Sequence, residues 1–99
     1  IHYEDATLDC NQLELCGPKG HCQLSKKEAD LLEVFFRYPH QLFTRERLLS
    51  RVWGDDTEIE ESNLNTYIHF VRKKLKKAGI CLTITTIRGV GYRLENIHD

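Results

Sequence analysis

"SNLNTYIHFVRKKLKKAGICLTITTIRGVGYRL", residues 62–94, reads as one long helix followed by a β-hairpin. At about 100° per residue, Leu64, Ile68, Val71 and Leu75 share one narrow apolar stripe. The opposite side carries Ser62, Thr66, His69, Phe70, Lys73 and Lys77, flanked by Asn65, Arg72 and Lys76. Gly79 ends the helix. "CLTITTI" and "GYRLENI" then read as two strands joined around Arg88-Gly89-Val90-Gly91. The helix dipole favours the lysines at its C-terminus, but it does not account for an outward Phe70 among amides, hydroxyls, an imidazole and cations. That mixture suits a surface that lies against phosphates and base edges.

The charge distribution sets this stretch apart from the rest of the chain. Residues 1–61 hold seven Lys or Arg against thirteen Asp or Glu, whereas residues 62–94 hold Arg72, Lys73, Lys74, Lys76, Lys77, Arg88 and Arg93 with no acid. The net charge of −1 therefore conceals an acidic part and a strongly basic one, a division that bears on partners rather than on folding. Ninety-nine residues make one domain, and 40% hydrophobic with 29% charged residues is ordinary for a globular protein. No apolar run approaches the about 20 residues of a membrane span, so no membrane partner is expected. The chain has no Met and reads as a piece, C-terminal, of something longer.

Upstream, residues 6–24 alternate short strand signals with turn residues, among them Gly17-Pro18-Lys19-Gly20, and predict a small antiparallel meander. Ser25 with Glu28 three residues on forms a capping box that opens a helix over about 25–38, with Leu31, Leu32, Phe35 and Phe36 on one face and Pro39 as the stop. Thr44 caps a second helix over about 44–53, whose stripe is Leu48, Leu49, Val52 and Trp53. Residues 55–61 carry five carboxylates and read as a loop. The third helix covers about 62–78 and the hairpin about 81–95. The order gives an α+β fold: a meander, three helices and a C-terminal hairpin, that is, a winged helix-turn-helix.

Cys10, Cys16 and Cys22, with His21 beside the last, are evenly spaced, but no C-x-x-C occurs. Small apolar cysteines facing inward from short strands explain the spacing better than a metal site does. Cys16 and Cys22 flank the turn "GPKGH", which makes a cross-strand disulfide geometrically conceivable. A thiol or metal sensor built on these residues remains the alternative to a binding surface, as does a winged module that contacts only proteins. No nucleophile–base pair, phosphate loop or catalytic carboxylate pair stands at useful spacing, so neither an enzyme nor a cofactor is expected.

The order and spacing of "SKKEADLL", "TRERLLSRVWG", "SNLNTYI", "VRKKL" and "IRGVGY" resemble the OmpR/PhoB-type effector domains of bacterial two-component response regulators, over nearly the whole chain. The resemblance implies a cytoplasmic transcription factor on double-stranded DNA, with the third helix in the major groove and Arg88 of the wing in the minor groove. Gly89 and Gly91 would then let the wing backbone turn tightly and approach the sugar-phosphate wall. A narrow minor groove focuses negative potential on such an arginine.

By the same resemblance Ser62, Asn63, Tyr67, His69 and Arg72 align with phosphate contacts, Asn65 and Phe70 with positions near bases, and Thr86 with a contact at the wing base. Thr66, Lys73 and Lys77 complete the DNA-binding set. Relatives often carry an acid where Asn65 stands and arginines where His69 and Phe70 stand; an imidazole is a weaker cation than arginine at neutral pH. Phe70 has two readings, an apolar contact to a thymine methyl or a contact to a subunit or partner. Trp53 and Tyr92 match phosphate contacts, but each is equally well a packed ring. The loop residues Asp55, Asp56, Glu58, Glu60 and Glu61 occupy the place that faces RNA polymerase in the family, and could instead repel DNA from the wrong face. An upstream receiver domain, a sensor kinase and a homodimer on tandem half-sites follow by analogy.

Overall fold

Turn residues break the N-terminal third into strands too short to be stable singly, so they pair. The computed structural model describes residues 1–54 and 61–97, and the side chains of all of these except residues 61–63. Strands β1 (His2–Tyr3), β2 (Ala6–Asp9), β3 (Glu14–Gly17) and β4 (Gly20–Gln23) form one antiparallel sheet in chain order. Alternation does the work expected of it, with Ala6, Leu8, Leu15 and Cys22 pointing into the core. The first strand, only two residues long, went unforeseen.

The sheet register corrects the disulfide expectation. Cys16 lies opposite His21, and Cys22 lies opposite Leu15. Successive residues of a strand point to opposite faces, so Cys16 and Cys22 are on different sides of the sheet. Only Cys22 of the evenly spaced three is buried, and all four cysteines are free. The expectation that each of the three faces inward holds for Cys22, which is buried, and for Cys10, which packs half-buried against the core, but not for Cys16.

Helix α1 (Lys26–Arg37) begins at the expected capping box: Glu28 N donates to Ser25 Oγ at 3.2 Å, and Ser25 N donates to Glu28 Oε1 at 2.7 Å. Its apolar face, Leu31, Leu32, Phe35 and Phe36, is buried. A two-residue strand β5 (Phe43–Thr44) follows, and Thr44 then caps α2 (Arg45–Trp53), accepting from Arg47 N at 3.2 Å. Lys27 reaches across from α1 and donates to the Val52 carbonyl at 3.0 Å, satisfying one of the acceptors at the end of α2. Helix α3 (Glu61–Lys77) buries Leu64, Ile68, Val71 and Leu75, the stripe read from the sequence. It ends at Gly79, whose φ is +73°.

The wing is β6 (Leu82–Ile87) and β7 (Gly91–Asn96), and its sheet has a third member, since β5 pairs with β7 through Phe43–Tyr92 and Thr44–Gly91. That pairing separates the two wing glycines. At the tip Val90 N donates to Ile87 O at 2.9 Å, closing a turn in which Gly89 takes φ +75°. Gly91 has no such φ. A Cβ there would lie 1.9 Å from the Phe43 carbonyl oxygen, so it is the neighbouring strand inside the fold, and not an outside surface, that requires a glycine at 91. Of the two glycines expected to shape the tip, Gly89 makes the tight turn and Gly91 answers to β5 instead.

Glu28 is the buried charged residue among those described, 5% exposed. Lys74 of α3 turns inward to it, with Nζ 2.8 Å from Oε1, and also donates to the Gln23 carbonyl at 2.8 Å. One cation of the basic block thus joins α1, β4 and α3 rather than facing out. Burial by itself raises the Glu28 pKa, but the hydrogen bonds from Lys74 and Ser25 outweigh it and hold the carboxyl below its ordinary value.

Two measurements follow from these contacts. Gly91→Ala is expected to destabilise the fold by about 3 kcal/mol or more, because backbone must move, whereas Gly89→Ala costs only the left-handed backbone, about 1–2 kcal/mol; denaturant unfolding of the two variants compares them. Because the Glu28 pKa is lowered on folding, its contribution is present above the ordinary carboxylate pKa and is lost as pH falls through the lowered value. Glu28→Gln should therefore be less stable than wild type at neutral pH and show a shallower loss of stability on acidification.

Candidate nucleic-acid interface

The buried stripe of α3 fixes which of its residues face outward. Asn65, Thr66, His69, Phe70, Lys73, Lys76 and Lys77 are exposed along one side, Phe70 to 44%, which is high for a phenylalanine. Tyr67 is half-buried and links the two regimes: its ring meets Trp53 at 5.3 Å on the core side and Phe70 at 6.3 Å on the outer side.

The wing lies along α3 and is fastened to it at two points. Arg72 donates from Nε to the Ile84 carbonyl and from Nη2 to Thr86 Oγ1, both at 2.6 Å. Nearer the start of the helix, the Tyr92 hydroxyl donates to Asn65 Oδ1. Thr86 and Tyr92 face each other across the hairpin, so both fastenings grip one rung of it. The open end of the wing, at Leu82 and Thr83, meets His69, Lys73 and Lys76, and a cleft lies between them. The hairpin accordingly runs toward the N-terminal half of α3 and carries Arg88, exposed, beyond Thr86.

Not every cation of the basic block is on offer. Lys74 is committed to Glu28, Arg93 pairs with Glu95 at 2.6 Å, and Arg72 holds the wing. Lys73, Lys76, Lys77 and Arg88 are the exposed ones. The expected contacts divide in the same way. Trp53 is 7% exposed and Tyr92 2%, so both rings belong to the core, with Lys27 Nζ 5.8 Å from the Trp53 ring. Thr86 is exposed while accepting from Arg72. The side chains of Ser62 and Asn63 lie outside the described residues, as do Asp55, Asp56, Glu58, Glu60 and the side chain of Glu61.

Arg45 was not anticipated. It opens α2, yet it lines a depression with Thr44, Glu46, Gly89 and Val90 at the wing tip. Its position depends on β5 pairing with β7, and nothing in "TRERLLSRVW" signals that. Lys76 was legible only as a flank of the polar face; the close packing of β6 makes it part of the cleft.

No cluster of three or more His, Cys, Asp or Glu able to hold a metal occurs among the described residues. Burial first, then Glu33, pushes the Cys10 thiol up; burial first, then Asp5, does so for Cys81; the hydrogen bond to Glu14 does so for Cys16. Raised thiol pKa values are the opposite of what a reactive thiolate needs.

Comparison with known proteins agrees with this geometry. The family described as "Transcriptional regulatory protein, C terminal" matches residues 19–94. The heme response regulator HssR of Staphylococcus aureus (strain JH9) is 40% identical over 90 residues, covering 91% of this chain and 40% of HssR, so the chain spans less than half of that relative. The DNA-binding domain of the response regulator AdeR, solved in complex with an intercistronic region, superposes with a TM-score of 0.82 at 27% identity, covering 97% of this chain and 99% of that one. The RstA DNA-binding domain of Klebsiella pneumoniae, in complex with the RstA box, gives 0.75 at 25% identity, covering 94% and 93%. The chain therefore belongs to the C-terminal domain family of transcriptional regulatory proteins, the OmpR/PhoB-type winged-helix domains of response regulators.

Proposed function

We propose that the domain binds double-stranded DNA sequence-specifically as the output end of a two-component response regulator, with α3 in the major groove and the wing tip in the neighbouring minor groove. The observation that carries this reading is the exposed side of α3, where Thr66, His69, Phe70, Lys73 and Lys77 stand together on a helix otherwise anchored in the core. A major groove about 12 Å wide admits one helix. The wing, fastened alongside, carries Arg88 away from the helix to where a second groove is met, as a cation that responds to groove width. Lys73, Lys76 and Lys77 supply attraction to phosphates that is indifferent to sequence. The AdeR and RstA complexes support the assignment, since both relatives carry the same architecture on DNA.

The roles of individual residues differ from a simple carry-over of family contacts. Arg72 keeps the wing in place, so it acts on DNA through the wing and not as a free phosphate ligand. Phe70 offers a face suited to a thymine methyl. Homodimers on tandem half-sites about one helical turn apart, an upstream receiver domain with its kinase, RNA polymerase opposite residues 55–61, and a cytoplasmic location complete the proposal by family analogy.

Affinity should fall steeply with salt. Were Lys73, Lys76, Lys77 and Arg88 all to displace counterions, the log–log slope would be about −3.6, roughly a 100-fold loss between 50 and 200 mM. Affinity that does not move over this range would rule out the DNA reading, leaving a protein-contact module. Arg88→Ala should cost about 1–3 kcal/mol on a selected site, whereas Lys73→Ala should weaken all sequences alike and reduce the slope by about 1. Arg72→Ala is expected to weaken specific binding while leaving the salt slope unchanged. A slope lowered by about 1 in that variant would show instead that the guanidinium sits on a phosphate.

A further inference from the structure

Phe70 lies on the side of α3 away from the buried stripe, with Thr66 one turn before it and Lys73 and Lys77 about one and two turns after. It is 44% exposed, and no acidic residue occurs between positions 62 and 94. Its ring has neighbours that limit its swing. Tyr67 meets it edge-to-face, at 76° and 6.3 Å, and Tyr67 in turn meets the buried Trp53 at 69° and 5.3 Å. The His69 ring adjoins it at 6.4 Å. A row of rings thus runs outward from the core to Phe70. A side chain braced in this way has less rotamer freedom to lose on contact than a lone exposed one.

We propose that Phe70 reads the C5-methyl group of a pyrimidine and not the base that carries it, so that 5-methylcytosine serves it as thymine does. A hydrocarbon ring has no donor or acceptor with which to follow the hydrogen-bond pattern of a base edge. What it recognises in the major groove is the apolar group there, the methyl at C5. Thymine always carries that methyl; cytosine carries it only when modified, and uracil lacks it. The charges beside the ring favour a duplex over a protein as the occupant. A protein would have to bring acids of its own over Lys73 and Lys77, whereas every duplex brings phosphates to both walls of the groove. Methylation of cytosine at the position under Phe70 would then strengthen binding. This inference rests on the DNA-binding reading above and adds to it the chemical group that Phe70 contacts.

The test starts from a site selected by the wild-type protein out of a random duplex pool. Each thymine of that site is replaced in turn by deoxyuridine, which removes the methyl and leaves the base pair intact, and affinity is measured by titration. One or two positions should lose about fourfold, the worth of one buried methyl-sized group, and the other thymines nothing. At the sensitive position a G·C pair is then compared with its 5-methylcytosine counterpart, and the methylated duplex should bind tighter by a similar factor. Phe70→Ala, a change at an exposed position, should fold as the wild type does and lose both differences. The inference is overturned if no deoxyuridine weakens wild-type binding, if methylating the cytosine has no effect, or if either difference survives in Phe70→Ala. The two wild-type comparisons decide the matter even without the variant. A wild-type protein that enriches no sequence overturns the DNA reading itself, which is a separate result from binding that ignores the methyl.

Discussion

Leu64, Ile68, Val71 and Leu75 are each at most 1% exposed, and this one buried stripe orients everything that α3 shows to the outside. A helix rotated by a single residue, about 100°, would bring Asn65 and His69 into the core and strand polar groups there without partners. Each buried leucine, isoleucine or valine contributes about 2 kcal/mol, so the four together hold the rotation far more firmly than any exposed contact could. The outward set of side chains is a consequence of inward packing.

Around that axis the fold adds restraints at both ends of the helix. Near its C-terminus Lys74 is tied to Glu28 and to the Gln23 carbonyl, and the Lys19 amide donates to the Ala78 carbonyl at 2.9 Å. Near its N-terminal half Asn65 meets Tyr92, and Arg72 in the middle grips β6. The N-terminal sheet and the wing thus hold different stretches of one helix. Polar residues that looked like ligands for a phosphate are in part the fasteners that keep two reading elements at a fixed separation.

The sequence made the helices and their faces plain because their signals are local. A capping box at Ser25, a threonine cap at Thr44 and a stripe repeating every three or four residues each need only neighbours a turn away. What stayed hidden depends on chain segments far apart. The pairing of β5 with β7 gave Gly91 its purpose and brought Arg45 to the wing tip, and no local pattern announces it. Lys74 could not be told from Lys73 by charge; only its angular position beside α1 turns it inward. For the same reason Trp53 and Tyr92, which match family contacts by spacing, lie in the core.

The hairpin also marks where the chain tolerates change. A side chain at position 89 would meet no atom within 4 Å, and Val90 is 44% exposed, yet one step further the backbone lies against its neighbour. Tolerance to insertion follows burial and hydrogen bonding of the backbone, not position in the chain. Change at 89 therefore costs only backbone conformation, at φ +75°, whereas change at 91 meets the neighbouring strand. Evolution, or a designer, can recharge the finger at the exposed Arg88 and Val90, on either side of the turn glycine, while the palm stays as it is.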